Sequence, residues 1–309
     1  MELLTYIGLF IVSLVVLLYA SDKFIEAAEK VGLSFGISPF IIGVTIVAFG
    51  TSLPELATSI ASVFSGSSEI VVGNVIGSNI TNILLVLGLT AIVGKQIKLD
   101  FDVMDIDMPL LICSAIFMYF ALSDGSFALF EAILFLCCIP IFLLNSFKGD
   151  KVDKADRPSV KPTAYLILLL GGVFIFLGAK YTIVALEVIS EIAGISPELI
   201  ALTGIALGTS LPEVIVSISA ARKGKHAIAV GNVLGSNLFN TYAVMSIPRL
   251  IGDLTIPTSI LDFSLPFMVI VTLVFGLICF SKKISKWEGM MLVVLYVFFI
   301  YNLVNQGLT

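Results

Sequence analysis

Charge and histidine are both scarce in this chain. Of its 309 residues only 13% are Asp, Glu, Lys or Arg, while 58% are hydrophobic. A soluble domain needs about twice that charged share to cover its surface, so a soluble globular fold is excluded. The single histidine, His226, lies in a basic loop, which argues against a zinc centre or His-based catalysis. The four cysteines, Cys113, Cys137, Cys138 and Cys279, all fall inside apolar runs and read as packing residues. Short alternating strands are missing, so a transmembrane β-barrel is not expected. No nucleophile–base pair or ligand set for a resident metal is present, so neither an enzyme nor a bound cofactor is expected. The 17 basic residues sit at loop ends, which leaves no surface for nucleic acid. No basic n-region or small-residue cleavage site accompanies the first apolar run, so Leu3–Ala20 reads as a retained helix and not a signal peptide.

What the chain has in abundance is apolar runs long enough to cross a bilayer, with a mean hydropathy of +1.11. The expected class is an all-α membrane protein with ten transmembrane helices. Their cores are Leu3–Ala20, Pro39–Phe64, Ile70–Ile92, Met108–Leu122, Phe127–Phe147, Thr163–Val184, Pro197–Ala221, Ile228–Ile251, Phe263–Phe280 and Gly289–Leu303. Apolar residues persist at helical spacing through Lys30 and Ala193, so the first and sixth helices are expected to be long and tilted. Fifteen of the 17 basic residues follow odd-numbered spans; Lys180 and Arg249 are the exceptions. By the positive-inside rule those loops are cytoplasmic and both termini face outside, in the plasma membrane. The polar stretch Lys148–Pro162, rich in Lys and Asp, reads as a cytoplasmic linker between units 1–147 and 163–309.

The two units repeat one another. Gly36–Asn82 aligns with Gly194–Asn240 at a constant offset of 158, and 25 of the 47 paired positions are identical. GTSLPE occurs at Gly50–Glu55 and at Gly208–Glu213. VGNVIGSNITN at Val72–Asn82 returns as VGNVLGSNLFN at Val230–Asn240. Each unit holds an odd number of spans, so the two five-helix repeats are expected to be inverted in the membrane. Inverted repeats place a substrate site near the midplane, at their interface.

Residue types then indicate the cargo. Ala48, Thr51, Ser52, Glu55 and Ser59 share one helix face, as do Ala206, Thr209, Ser210, Glu213 and Ser217 in the second repeat. Asn74, Ser78 and Asn82 form a further face, matched by Asn232, Ser236 and Asn240. Gly73 with Gly77, and Gly231 with Gly235, are small-xxx-small pairs that permit close backbone approach. Pro54 and Pro212 lack amide hydrogens and crowd the carbonyls four residues back, which offers Gly50, Thr51, Gly208 and Thr209 oxygens to a ligand. Ca2+ and Na+ prefer such oxygens. An ionised carboxylate at the bilayer centre costs roughly 2.5–3.5 kcal/mol, and no basic residue lies near midplane to pair with Glu55 or Glu213. Cations that neutralise the pair in turn, competing for shared oxygens, are the physical basis of exchange.

These strings resemble the alpha repeats of the sodium/calcium exchanger family, within the cation/calcium exchanger superfamily. Prokaryotic members are similar in length, in ten-span layout, and in the G-T-S-L-P-E and G-N-x-x-G-S-x-x-x-N motifs. The resemblance implies Ca2+ at Glu55 and Glu213 with backbone oxygens of Thr51 and Thr209. It implies Na+ at Ser52, Ser210, Ser78, Ser236 and the carbonyls of Ala48 and Ala206, besides the glutamates, with Asn82 and Asn240 flanking the centre. It also implies electrogenic exchange by alternating access, the first and sixth helices sliding across the other eight. Potassium-dependent relatives carry aspartate where Asn240 stands, which argues against K+ coupling. Asn79 and Asn237 vary in the family and are given no role beyond packing.

Two rival functions fit less well. A Ca2+/H+ antiporter on the same fold would not need the serine- and carbonyl-rich shell. A Ca2+ channel suits a closed, charge-compensated midplane site poorly. The acidic run Asp100, Asp102, Asp105 and Asp107 lacks the glycine and terminal glutamate of an EF-hand and reads as a solvated helix start. Expected partners are Ca2+, Na+ and lipid, with no obligate protein partner.

Overall fold

The computed structural model describes residues 2–99, 107–146, 157–192 and 209–307. Apart from two three-residue strands, regular structure among the described residues is helical. Seven described helices are long and apolar enough to cross a membrane. Along the chain run α1 (Glu2–Ser34), α2 (Pro39–Phe64), α3 (Glu69–Gly94), α4 (Asp107–Leu122) and α5 (Leu129–Ser146). They are followed by α6 (Pro162–Ile192), α7 (Leu211–Arg222), α8 (226–249), α9 (Ile260–Cys279) and α10 (Lys286–Gly307). Most of the linker, and Asp100, Asp102, Asp105, Ala206 and Gly208, lie outside the described residues.

Extended helices α1 and α6 match the expectation from persistent apolar spacing. They lie along one another over much of their length. Gly178 makes that possible, since an added Cβ would fall 2.9 Å from Leu17 Cβ. Polar groups in an apolar medium need partners, and Thr182 supplies one by donating to Ser13 Oγ at 2.9 Å. The outward faces of the pair carry Leu4, Ile11, Val12, Leu166 and Leu169, all exposed, as helices bathed in lipid would.

The helices that carry the repeated motifs are the most enclosed. The apolar windows of α2 and α3 are 61% and 78% buried, against 17% for α1. Pairing between the two units is reciprocal: α2 packs on α8, and α7 packs on α3. Glycines set the first of these approaches. A Cβ at Gly231 would lie 2.5 Å from the Phe40 carbonyl oxygen, and one at Gly235 would collide with the Val44 carbonyl oxygen. The repeat-equivalent stretch of α2, residues 198–206, lies outside the described residues.

Three motif helices contain π turns that hydropathy does not reveal. They span Gly43–Val47 in α2, Asn82–Leu87 in α3 and Asn240–Val244 in α8. The last two begin at the repeat-equivalent asparagines, as π turns often do at functional sites. Strands β1 (Gln96–Lys98) and β2 (Lys283–Ser285) form an antiparallel pair, in register at Ile97 and Ile284. Both isoleucines are fully buried, and the pair ties the end of α3 to the start of α10.

Candidate ion-binding site

Glu55 projects from α2 and Glu213 from the first turn of α7, and both are fully buried. Their carboxylates lie close enough to interact directly. Ion pairs among the described residues join Lys23, Lys223, Lys225 and Arg249 to acids elsewhere, and none reaches this pair. Among the described residues, the carboxylates are therefore held together without a protein cation.

Oxygen-bearing side chains surround them. Ser52 donates to Glu213 Oε1 at 3.0 Å. Thr51 Oγ1 stands 3.2 Å from the Ala48 carbonyl oxygen and 3.2 Å from Asn232 Oδ1. Thr209 Oγ1 stands 3.1 Å from Asn74 Oδ1 and 3.3 Å from Ser78 Oγ. Asn82 donates to Asn237 Oδ1 at 3.1 Å. Glu55, Glu213, Thr51, Ser52, Ser210, Ser236, Asn82, Asn240 and Ala48 are fully buried; Ser78 is nearly so, and Thr209 is half-buried. Among the expected site residues, contacts join Ser52 to Glu213, Thr51 to Ala48 and Thr209 to Ser78, and the others that are described are buried; Ala206 lies outside the described residues.

Buried polar atoms in proteins are nearly always hydrogen-bonded, and exceptions call for a reason. Here several of the exceptions are expected site residues. Both oxygens of Glu55, Oε2 of Glu213, Oγ of Ser210 and Ser236, Oδ1 of Asn82 and both amide atoms of Asn240 have no partner. All but the Asn240 amide nitrogen are oxygens that can coordinate a hard cation. Among the described residues no three His, Cys, Asp or Glu side chains cluster. The shell is two acids completed by neutral oxygens, which gives it a formal charge of −2 when both are ionised.

A cavity of about 550 Å3 leads to this shell. It is lined by Thr58, Asn74, Lys180, Thr209 and Pro212, among others. A second cavity of about 480 Å3, lined by Asp22, Ser219, Arg222 and Lys223, includes none of the shell residues. Asp22 and Lys180 are repeat-equivalent, so the two cavities are related by the repeat. The second is bounded by polar ties between α1 and the end of α7. Lys223 pairs with Asp22 at 3.3 Å and Glu26 at 3.0 Å, and Ser219 donates to Asp22. Lys225 pairs with Glu29 at 2.6 Å.

Reading the sequence left several contributors without a site role. Asn74, Asn232, Ser59 and Ser217 share the polar faces, yet their pairing is set by tertiary structure. Their repetition in both units was the available signal. Asn79 and Asn237, treated as packing, are hydrogen-bonded inside the molecule: Asn79 donates to Thr241 Oγ1 at 3.0 Å, and Asn237 accepts from Asn82. Of the acidic run, Asp107 opens α4 with Oδ1 buried and unpartnered.

Comparison with known proteins agrees with this architecture. The profile of the family described as sodium/calcium exchanger protein matches residues 5–148 and 163–305. The inner membrane protein YrbG of Escherichia coli K12 is 34% identical over 298 residues, covering 91% of each chain. The sodium/calcium exchanger MaX1 of Methanosarcina acetivorans is 31% identical and covers 94% of this chain and 96% of its own. A solved structure of the sodium-calcium exchanger NCX_Mj, soaked with Na+ and Sr2+, superposes with a TM-score of 0.86 at 30% identity, covering 97% and 99%. With two buried acids in an oxygen-lined site between its repeated motifs, this multi-pass membrane protein belongs to the sodium/calcium exchanger family.

Proposed function

We propose that this chain is a secondary antiporter that exchanges Na+ for Ca2+ across the plasma membrane. Ten transmembrane helices form two inverted repeats, 1–147 and 163–309, joined by a cytoplasmic linker at 148–162, with both termini outside. The observation that carries this reading is the Glu55–Glu213 pair, buried, adjacent and, among the described residues, without a basic partner. Two like charges held in a low-dielectric interior demand a counter-charge. One divalent ion neutralises both. Na+ ions do so singly, using the carboxylates together with the hydroxyl and carbonyl oxygens of Ser52, Ser210, Ser78, Ser236, Ala48 and Ala206. Ca2+ takes Glu55 and Glu213 with the backbone oxygens of Thr51 and Thr209, and Asn82 and Asn240 flank it.

Because the same oxygens serve both ions, their occupancies exclude one another and the fluxes are coupled. Exchange of three Na+ for one Ca2+ is electrogenic. Access alternates: the cavity past Lys180 opens the site to the outside, and the tied α1–α7 face closes it to the cytoplasm. The sliding pair α1 and α6 exchanges these roles. The charge pattern of the loops supports the orientation, and the names of MaX1 and NCX_Mj support the ion pair.

The test is 45Ca2+ uptake into proteoliposomes loaded with Na+. The native chain should take up Ca2+ down the outward Na+ gradient, and Glu55→Gln and Glu213→Gln should abolish it. Uptake driven by a pH gradient without Na+ would replace this reading with Ca2+/H+ exchange. Na+-dependent uptake persisting in both variants would remove the glutamates from the mechanism.

A further inference from the structure

We propose that Asn74 and Asn232 are positioning residues that fix the spacing of Glu55 and Glu213 through two reciprocal bridges between the repeats, and so set the preference for a divalent ion. This rests on the exchanger reading above and adds residues to it.

The geometry is a closed frame. Asn232 accepts from Thr51 at 3.2 Å and donates from Nδ2 to Ser217 Oγ at 2.9 Å. Asn74 accepts from Thr209 at 3.1 Å and donates to Ser59 Oγ at 3.0 Å. Each residue of one bridge is the repeat mate of a residue in the other, at the offset of 158. Thr51 stands four residues before Glu55 and Ser59 four after; Thr209 and Ser217 flank Glu213 in the same way. One bridge thus joins the turn before Glu55 to the turn after Glu213. The other joins the turn after Glu55 to the turn before Glu213. The glutamates lie between two cross-ties that link α2 to α7.

An asparagine suits this task because one short side chain presents both an acceptor and donors. Asn74 uses its donors further, reaching the Glu55 main-chain oxygen at 3.2 Å. Both asparagines are almost completely buried; the Asn232 tie is enclosed, while Asn74 and Thr209 meet at the wall of the cavity past Lys180. Thr51 has one proton and two acceptors in reach, Asn232 and the Ala48 carbonyl.

Spacing matters unequally to the two ions. A divalent ion binds well only when both carboxylates reach it together, at the 2.3–2.6 Å distances of Ca2+ coordination. A monovalent ion requires one carboxylate at most. Loosening the frame should therefore weaken Ca2+ more than Na+. A role confined to folding would weaken both alike.

The experiment is equilibrium binding of 45Ca2+ and of 22Na+ to the purified full-length protein, for the native chain, Asn74→Leu, Asn232→Leu, Thr51→Val and the double variant Asn232→Leu/Thr51→Val. Each single substitution should raise the Ca2+ Kd about tenfold and the Na+ Kd by less than about threefold. The double variant should lose no more than the worse single, since both break one bridge. Thr51→Val keeps the backbone oxygen and removes the same tie, so it carries the test if a leucine variant fails to fold. Unchanged Ca2+ affinity, equal losses for both ions, or additive losses in the double variant overturn the inference. A native chain that binds no Ca2+ overturns the exchanger reading and this inference with it. Native binding with unaffected variants overturns the inference alone.

Discussion

Replacing Glu213 by glutamine changes the charge of the site and almost nothing else. The two side chains are isosteric, and the amide oxygen can keep the bond from Ser52 that Glu213 Oε1 now accepts at 3.0 Å. The other carboxylate oxygen has no partner; in the variant an amide NH2 takes its place in a side chain that interacts with Glu55. Two consequences follow, with opposite signs. The empty protein loses one of two adjacent buried charges and gains a donor for the other, so its thermal stability should rise. The Ca2+ complex loses half of its formal counter-charge. Removing one partner from a buried charge pair costs about 3–5 kcal/mol. At about 1.4 kcal/mol per decade, Ca2+ affinity should fall between about a hundredfold and several thousandfold. Calcium titration of purified native and Glu213→Gln protein, followed by differential scanning fluorimetry, reads both effects. A variant that is less stable when empty, or that binds Ca2+ within fivefold of the native chain, would refute the premise that uncompensated charge governs this site.

Other substitutions test neighbouring parts of the account. Ser52→Ala removes the one side-chain donor on Glu213 that the structure resolves at hydrogen-bond distance, a bond of about 0.5–1.5 kcal/mol, so half-saturation for Na+ in uptake assays should rise about two- to tenfold. Gly235→Ala places a methyl against the Val44 carbonyl, where overpacking of about 1–3 kcal/mol should lower the melting temperature; an unchanged value would show that α2 and α8 are not in close contact. Lys225→Glu should destabilise the α1–α7 contact by up to about 1 kcal/mol, because Lys225 pairs with Glu29, and adding Glu29→Lys should restore the melting temperature.

The positions of the acids were legible in the sequence because duplication marks them twice. Glu55 and Glu213 stand in identical strings, and hydropathy placed both strings inside apolar spans. The extended α1 and α6 were equally legible, since apolar spacing continues through the polar residues at their ends. Local hydrogen-bond shifts were not. The π turns at Asn82–Leu87 and Asn240–Val244 change one rung of the backbone ladder and leave hydropathy untouched. The β1–β2 pair escaped because three-residue strands carry too little pattern to register. The cross-ties through Asn74 and Asn232 were hidden for a different reason. Each joins residues at least 181 or 135 apart in sequence on one side and 15 on the other, and helix periodicity reports only neighbours on one helix. Asn79 and Asn237 show the same limit: their partners, Thr241 and Asn82, belong to the opposite repeat.

Shared occupancy is the central claim, and Ca2+ binding isotherms of the purified protein at graded Na+ concentrations address it most directly. Increasing Na+ should raise the apparent Kd for Ca2+ progressively while the number of Ca2+ bound at saturation stays constant. A Kd that does not respond to Na+, or a saturation level that falls while the Kd holds, would mean that the two ions do not compete for the oxygens around Glu55 and Glu213.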